Sequence, residues 1–338
     1  MQNNQKIIAI FGPGFLCRNL MRRLTKLDYR VKVATRNPNL KLYLKPLGNP
    51  GQIELFKTNI FNPEDIKQVL KNCDLAINLV GILFEKKQTF EQVHAQFPIL
   101  LSNACNELGV KRLISISALG IKESHTSKYM QSKFQGEKNI QNIFKRSIIL
   151  RPSLILGPNC PFFNTFGSLA QFSPVLPLIG NGKSKFAAIY IENVCEAIVK
   201  SLELNNSTPQ IYELGGPKNY SFRELMEILL KEIKKKRFLM PIPFNTAKFL
   251  SYFLQLMPNP LLTPDMVENL KFNNIVSGQF PTLKDLNIKN VYQAIKKLID
   301  NTRHRKDIQK LSIKNFFHTN KISSDNIDDY RTKLLINY

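Results

Sequence analysis

No run of about 18 apolar residues occurs in the chain, so no membrane-spanning helix is expected. The five cysteines, Cys17, Cys73, Cys105, Cys160 and Cys195, lie far apart. That spacing excludes a zinc ribbon and a redox pair, and it suits free thiols in a reducing compartment. The four histidines, His94, His125, His304 and His318, stand alone, so no metal is expected. There is no Gly-x-Ser-x-Gly nucleophile elbow. With 15 glycines and 19 prolines the chain is neither collagen-like nor of low complexity. Its opening, MQNNQKIIAIFG, enters an apolar run at once, so no secretory signal is expected. Acidic residues are scarce, 25 against 48 lysines and arginines, for a formal charge of +23. That excess reads either as an anionic partner or as compositional drift in a chain rich in Lys, Asn and Ile throughout.

What is present is an alternation. Strand patterns fall at Lys6–Phe11, Tyr29–Thr35, Gln52–Thr58, Asp74–Val80, Arg112–Ser117 and Ser147–Leu150. Helical spacing falls between them at Phe15–Leu27, from Asn62-Pro63 onward, at Phe90–Gly109 and at Tyr129–Phe144. Asn62 suits an N-cap and Pro63 a first helical turn. Strands alternating with helices at this spacing predict an α/β fold: a Rossmann-type doubly wound parallel sheet with a smaller mixed C-terminal lobe. In the second half, Ile189–Leu202 reads as strand then helix, and Tyr212–Gly216 as a short strand. Ser221–Lys234 reads as a helix opened by a Ser221/Glu224 capping box. Phe238–Leu262 is apolar and punctuated by prolines, and it reads either as lobe core or as a face for a membrane or membrane-embedded partner. The division expected is 1–160 for a nucleotide-binding domain with its sheet completed by later segments, 161–305 for the lobe, and 306–338 for a tail.

Gly12-Pro13-Gly14-Phe15-Leu16-Cys17 lies between the first strand and the first helix. Backbone amides and the helix dipole at that position bind a pyrophosphate; the competing reading is a tight turn. Arg36 follows the second strand, where NAD sites usually carry an acidic residue, so an arginine points to a ribose 2′-phosphate and to NADP(H); otherwise it is one more solvated cation. Asn59 and Ile60, after the third strand, are candidates for the adenine, and Val80, Gly81 and Ile82, after the fourth, for the nicotinamide side. Tyr129 and Lys133 form Tyr-x-x-x-Lys on one helix face. An ammonium beside a phenol lowers the phenol pKa and would arm it as a base.

At these residues the sequence resembles the extended or atypical branch of the short-chain dehydrogenase/reductase superfamily. The order is the phosphate loop, Arg36, Asn78–Gly81 (NLVG), Ile116–Gly120 (ISALG), Tyr129–Lys133 (YMQSK), Leu150–Ser153 (LRPS) and Gly157-Pro158. More narrowly, it resembles the alpha-subcomplex subunit nine family of nucleotide-binding accessory subunits of respiratory complex I, over about Lys6 to Lys306. The closer match rests on Lys45–Gly48 with Gly51-Gln52, Asn78–Ile82, Tyr129 through Lys138, Pro161–Asn164 with Phe166, Pro174–Leu178, Gln255–Pro260 and Arg303–Arg305. The resemblance implies a structural NADPH, held without catalysis where the peripheral and membrane arms meet. Its implied ligands are Gly12, Gly14, Phe15, Leu16, Arg36, Asn59, Ile60, Val80, Gly81, Ile82, Ser117, Tyr129, Lys133, Pro152 and Ser153.

Two departures stand out. Cys17 replaces the third glycine in a loop one residue short of the family pattern, and Ala118 falls where active members carry Ser or Thr. Tyr129 and Lys133 are therefore read as inherited ribose-holding groups. The expected partners are complex I core subunits and an anionic membrane surface, on the cytoplasmic face in a bacterium or the matrix face in a mitochondrion. Nucleic acid is not expected, because no RRM, zinc-finger or helix-turn-helix pattern accompanies the charge. The alternative is an active NADP-dependent reductase or a sugar-nucleotide epimerase/dehydratase.

Overall fold

Short runs of Ile, Val, Leu and Phe, each bounded by turn residues, form the strands of this computed structural model, which describes residues 5–205, 208–257 and 260–288. The first half runs β1 Ile7–Phe11, α1 Phe15–Lys26, β2 Arg30–Thr35, a 3-10 run Pro38–Leu47, β3 Ile53–Lys57, α2 Pro63–Leu70 and β4 Leu75–Asn78. A π-helical turn Gln92–Gln96 then leads into α3 Phe97–Glu107, followed by β5 Arg112–Ile116, α4 Lys128–Ile143 and β6 Ser147–Pro152. The second half runs β7 Ile155–Leu156, α5 Pro161–Phe172, β8 Val175–Ile179, β9 Lys185–Phe186, β10 Ile189–Tyr190, α6 Ile191–Glu203 and β11 Gln210–Leu214. It continues through β12 Tyr220–Ser221, α7 Phe222–Glu232, β13 Phe238–Ile242, α8 Phe244–Leu254 and α9 Pro264–Asn269.

Seven strands form one sheet in the order β3-β2-β1-β4-β5-β6-β11, every neighbouring pair parallel. The chain order reverses between β1 and β4, which opens a crevice at the carboxyl ends of those strands. One face buries Ile8, Ile10 and Ile77 against α1 and α6; the other buries Ala9, Phe11 and Ala76 against α2 and α3. A sheet covered on both faces reads as continuous apolar runs, as the sequence does. Among the described residues no helix is long and apolar enough to cross a membrane. All five cysteines are buried and unpaired.

Local signals set the element ends. The Asn62 side chain accepts from the Glu64 N–H, and Ser221 and Glu224 make the reciprocal capping box at α7. Three elements differ from the sequence expectation. The long helix over Phe90–Gly109 is interrupted by the π turn. The fourth strand stops at Asn78, because that side chain turns back to accept from the Val80 N–H at 3.0 Å. The strand expected at Tyr212–Gly216 lies at Gln210–Leu214, in register with β6, and leaves Gly215 and Gly216 beyond the sheet. The expected tail at 306–338, with His304 and His318, lies outside the described residues.

The lobe is assembled from pairs of short strands, β13 with β8 and β12 with β9, capped by α5, α7, α8 and α9. It is tied to the sheet domain through α9. The Asp265 carboxylate accepts from Ser127 Oγ (2.8 Å) and from the N–H groups of Lys128 (2.6 Å) and Tyr129 (3.2 Å). These donors open α4, so a lobe carboxylate sits on the positive end of that helix.

Candidate functional site

The crevice is built from the loops after β1, β2, β3 and β4 and from the inner face of α4. Gly12 has a φ of 97°, and a Cβ there would stand 2.7 Å from the Leu79 carbonyl carbon. Only glycine lets β1 and β4 leave the sheet this close together. Gly14 is the N-cap of α1 and its N–H donates to the Gly12 carbonyl at 2.8 Å. A Cβ on Gly14 would meet nothing within 4 Å, so bare backbone faces the crevice at the start of a helix free of acidic residues in its first turn. Phe15 and Leu16 open α1, with Leu16 buried in the core. Cys17 is wholly buried in that same core, and burial pushes its thiol up to about 12, so it acts as a small apolar packing group.

Arg36 is exposed just beyond the end of β2, and among the described residues it has no acidic partner. Two further cations that the sequence did not single out, Arg18 of α1 and Lys41 of the 3-10 run, lie over the Tyr43 ring at 5.6 and 5.7 Å. After β3, Asn59 Oδ1 accepts from the Phe61 N–H, and its own N–H donates to Asp65, so this loop is held rigidly. Ile60 packs on the second core cluster.

The loop after β4 meets α4. A Cβ on Gly81 would lie 3.4 Å from Lys133 Nζ, which places two residues expected at the nicotinamide end directly against each other. Lys133 is buried and donates to the Ile116 carbonyl at 3.2 Å. Burial pulls its ammonium down to about 8, with Glu137 opposing. Glu137 in turn makes a buried bidentate pair with Arg151. Tyr129 is half-buried, its ring edge-on to Phe90 at 5.7 Å and to His94 at 5.2 Å. Its phenol corrects the expectation of a lowered pKa: burial first, and the Asp265 carboxylate second, push it up to about 12. Tyr129 therefore stays protonated at neutral pH.

Ser117 is buried, and among the described residues its hydroxyl has no hydrogen-bond partner. It lines a cavity of about 10 Å³, roughly the room one water needs, together with Asn78, Val80, His94 and Lys133. Pro152 ends β6 and its carbonyl accepts from the Leu119 N–H. Ser153 Oγ is engaged by Asn274, whose amide also donates to the Leu119 carbonyl at 2.7 Å. A larger groove, about 450 Å³, runs along the outer edge of β3 and shares no residue with this set. Among the described residues no three of His, Cys, Asp and Glu cluster as a metal site would require.

His94 belongs to the site and its sequence context gave no sign of it. Its Nε2 accepts from the Ile82 N–H at 3.1 Å, so the proton sits on Nδ1, which faces Ser132 Oγ at 3.0 Å. Ser132 then donates to the Tyr129 carbonyl at 2.8 Å. Burial and Lys133 push the imidazole down to about 2, so it is neutral. This chain of bonds pins the loop after β4 to the helix that carries Tyr129 and Lys133. Gly136 makes the approach possible, because a Cβ there would collide with the His94 carbonyl oxygen.

Residues 8–215 match the NAD dependent epimerase/dehydratase family. The mitochondrial NADH dehydrogenase [ubiquinone] 1 alpha subcomplex subunit 9 of Arabidopsis thaliana is 29% identical over 296 residues, covering 83% of this chain and 74% of that protein. Its Mus musculus counterpart is 26% identical over 304 residues, covering 88% and 80%. Among solved structures, UDP-glucuronic acid 4-epimerase from Bacillus cereus, in complex with UDP-glucuronic acid and NAD, superposes with a TM-score of 0.59. It is 20% identical and covers 86% of this chain and 99% of the epimerase; at that identity the likeness is one of fold.

Proposed function

The chain belongs to the NAD dependent epimerase/dehydratase family, and from that premise we propose that it is a non-catalytic NADPH-binding accessory subunit of respiratory complex I, stabilising the junction of the peripheral and membrane arms. The carrying observation is a nucleotide crevice whose phosphate loop is open while its acid–base pair is disarmed. The Gly14 backbone is uncovered, yet the Tyr129 phenol is held protonated and Ala118 offers no hydroxyl beside it. The similarity to subunit nine of the alpha subcomplex supports the same reading.

The residues present fit a dinucleotide. Gly12, Phe15 and Leu16 would present backbone N–H groups and the α1 dipole to the pyrophosphate, and Gly14, with no side chain, would let it approach closely. Arg36, exposed beyond the end of β2, would take the 2′-phosphate and so select NADPH. Asn59 and Ile60 would border the adenine. Val80, Gly81, Ile82, Ser117, Pro152 and Ser153 would border the nicotinamide, and Tyr129 and Lys133 would hold its ribose. The bound nucleotide could supply hydride chemistry; the protein's part is to hold it. The reductase or epimerase reading draws on the same Tyr129 and Lys133, but Ala118 leaves it without the hydroxyl that would polarise a carbonyl.

The test is a native gel of membranes solubilised in mild detergent, with the chain located by mass spectrometry. Co-migration with complex I core subunits is the expected result, and migration as a soluble monomer or dimer sinks the reading. In parallel, Arg36→Glu should weaken NADPH binding at least about tenfold and leave NADH binding little changed. An equal loss for both nucleotides rejects the role given to Arg36. Tyr129→Phe should assemble normally.

A further inference from the structure

A helix on a folded surface normally buries its apolar side. In α8 the order is inverted: the buried side carries Ala247 and Ser251, while Phe249, Leu250, Tyr252 and Phe253 are exposed. Phe249 is 67% and Phe253 59% exposed, with their rings edge-on at 5.4 Å, and Leu256, just past the helix, is 80% exposed. Strand β13, immediately before α8, exposes Phe238 and Met240 in the same stretch of chain. Leading into that strand is Lys234-Lys235-Lys236-Arg237. Arg237 is anchored, donating to the Ala170 carbonyl at 2.8 Å, while Lys234 and Lys236 are exposed. Between Glu232 and Asp265 the chain carries five cations and no carboxylate. Lys248, whose side chain is partly exposed, is paired with Glu268 at 2.9 Å.

We propose that residues 234–257 form a docking face for an anionic phospholipid bilayer, with the lysine run on the headgroups and the α8 rings in the upper acyl region. The charge decides the occupant. A protein groove would be met by apolar side chains with mixed charge at the rim, whereas a stretch whose own charges are all cations, joined to exposed rings, matches a layer of negative headgroups over hydrocarbon. The span is too short and too interrupted to cross the membrane, so the contact is parallel to the surface. The +23 charge of the whole chain adds long-range attraction to the same surface. This deepens the membrane-side reading given above, but its test uses the isolated chain, so either can fail without the other.

The experiment is co-sedimentation of the purified full-length chain with vesicles of phosphatidylcholine, with and without phosphatidylglycerol. Binding should require the anionic lipid. Lys234→Glu with Lys236→Glu should lower partitioning roughly thirtyfold, and Phe249→Ser with Phe253→Ser at least about tenfold. Lys57→Glu with Lys71→Glu, a change of the same charge at exposed lysines of the sheet domain, should have a clearly smaller effect. The phenylalanines point to solvent, so unchanged melting confirms that their variant is folded. No binding to anionic vesicles overturns the proposal. So does binding that ignores the phenylalanines, or that falls equally with both lysine pairs, since net charge alone would then explain it. A concentration-dependent dimer abolished by the phenylalanine variant, with no vesicle binding, assigns the face to a second copy and also overturns it.

Discussion

Helices α4 and α8 break the same rule in opposite directions. On its buried side α4 carries Ser132, Lys133 and Glu137, groups that water would solvate better. On its exposed side α8 carries Phe249, Tyr252 and Phe253, groups whose burial is worth about 25 cal/mol per Å² that the isolated fold forgoes. Each exception is supported by its surroundings. The α4 charges are met by Arg151 and the Ile116 carbonyl, and Ser132 is met by a neutral His94. Among the described residues the α8 rings of Phe249 and Phe253 meet each other edge-on. An exception resolved within the protein marks an internal site, and one left unresolved marks a surface that something else completes.

The comparison breaks most sharply at Arg151. Arg151→Met strands Glu137 buried and unpaired, and urea titration should show a loss of about 3–5 kcal/mol. Adding Glu137→Leu should recover most of it; if it does not, the packing of the guanidinium over Phe280, at 4.7 Å, carries the effect.

A smaller effect follows from His94. Its folded pKa of about 2 lies below its unfolded value, so between those limits the unfolded chain binds a proton that the folded chain refuses. Stability therefore falls as pH drops below about 6.5, by about 1.4 kcal/mol per unit. His94→Gln should lose this dependence, so thermal melts should show the gap between wild type and variant narrowing from pH 7 toward pH 5. A constant gap would reject the buried neutral imidazole.

The smallest effect belongs to α8. Phe249→Ser with Phe253→Ser should change unfolding free energy by no more than about 0.5 kcal/mol in the absence of lipid. A loss of several kcal/mol would mean that those rings belong to the core.

What the sequence disclosed follows the range of the interactions. Runs such as KIIAIF and RVKVAT, the Asn62 cap and the Ser221/Glu224 box are complete within a few residues, so their reading needed no tertiary knowledge. The parallel order followed from alternation alone. The π turn at Gln92–Gln96 was hidden, because FEQVHAQF has ordinary helical spacing and the extra residue answers a contact with Gly136, some forty positions later. His94 was dismissed for want of a histidine partner; its partners are a backbone N–H and a serine. The spacing of Tyr129 and Lys133 was plain, but the direction in which Tyr129 titrates depends on burial and on Asp265, 136 residues away. The apolar stretch after Phe238 left core and surface equally open, since composition does not say which side of a helix faces inward.

The fit of Gly136 under the His94 carbonyl carries a consequence for how this crevice takes a change of sequence. An α-helix turns by about 100° per residue, so deleting the one surplus residue of the π turn would swing His94 away from the Ile82 N–H by about that angle. Enlarging Gly136 would drive the two helices apart at the same point. Either change alone would break the same contact, so the surplus residue and the missing side chain together set where the loop after β4 sits on α4.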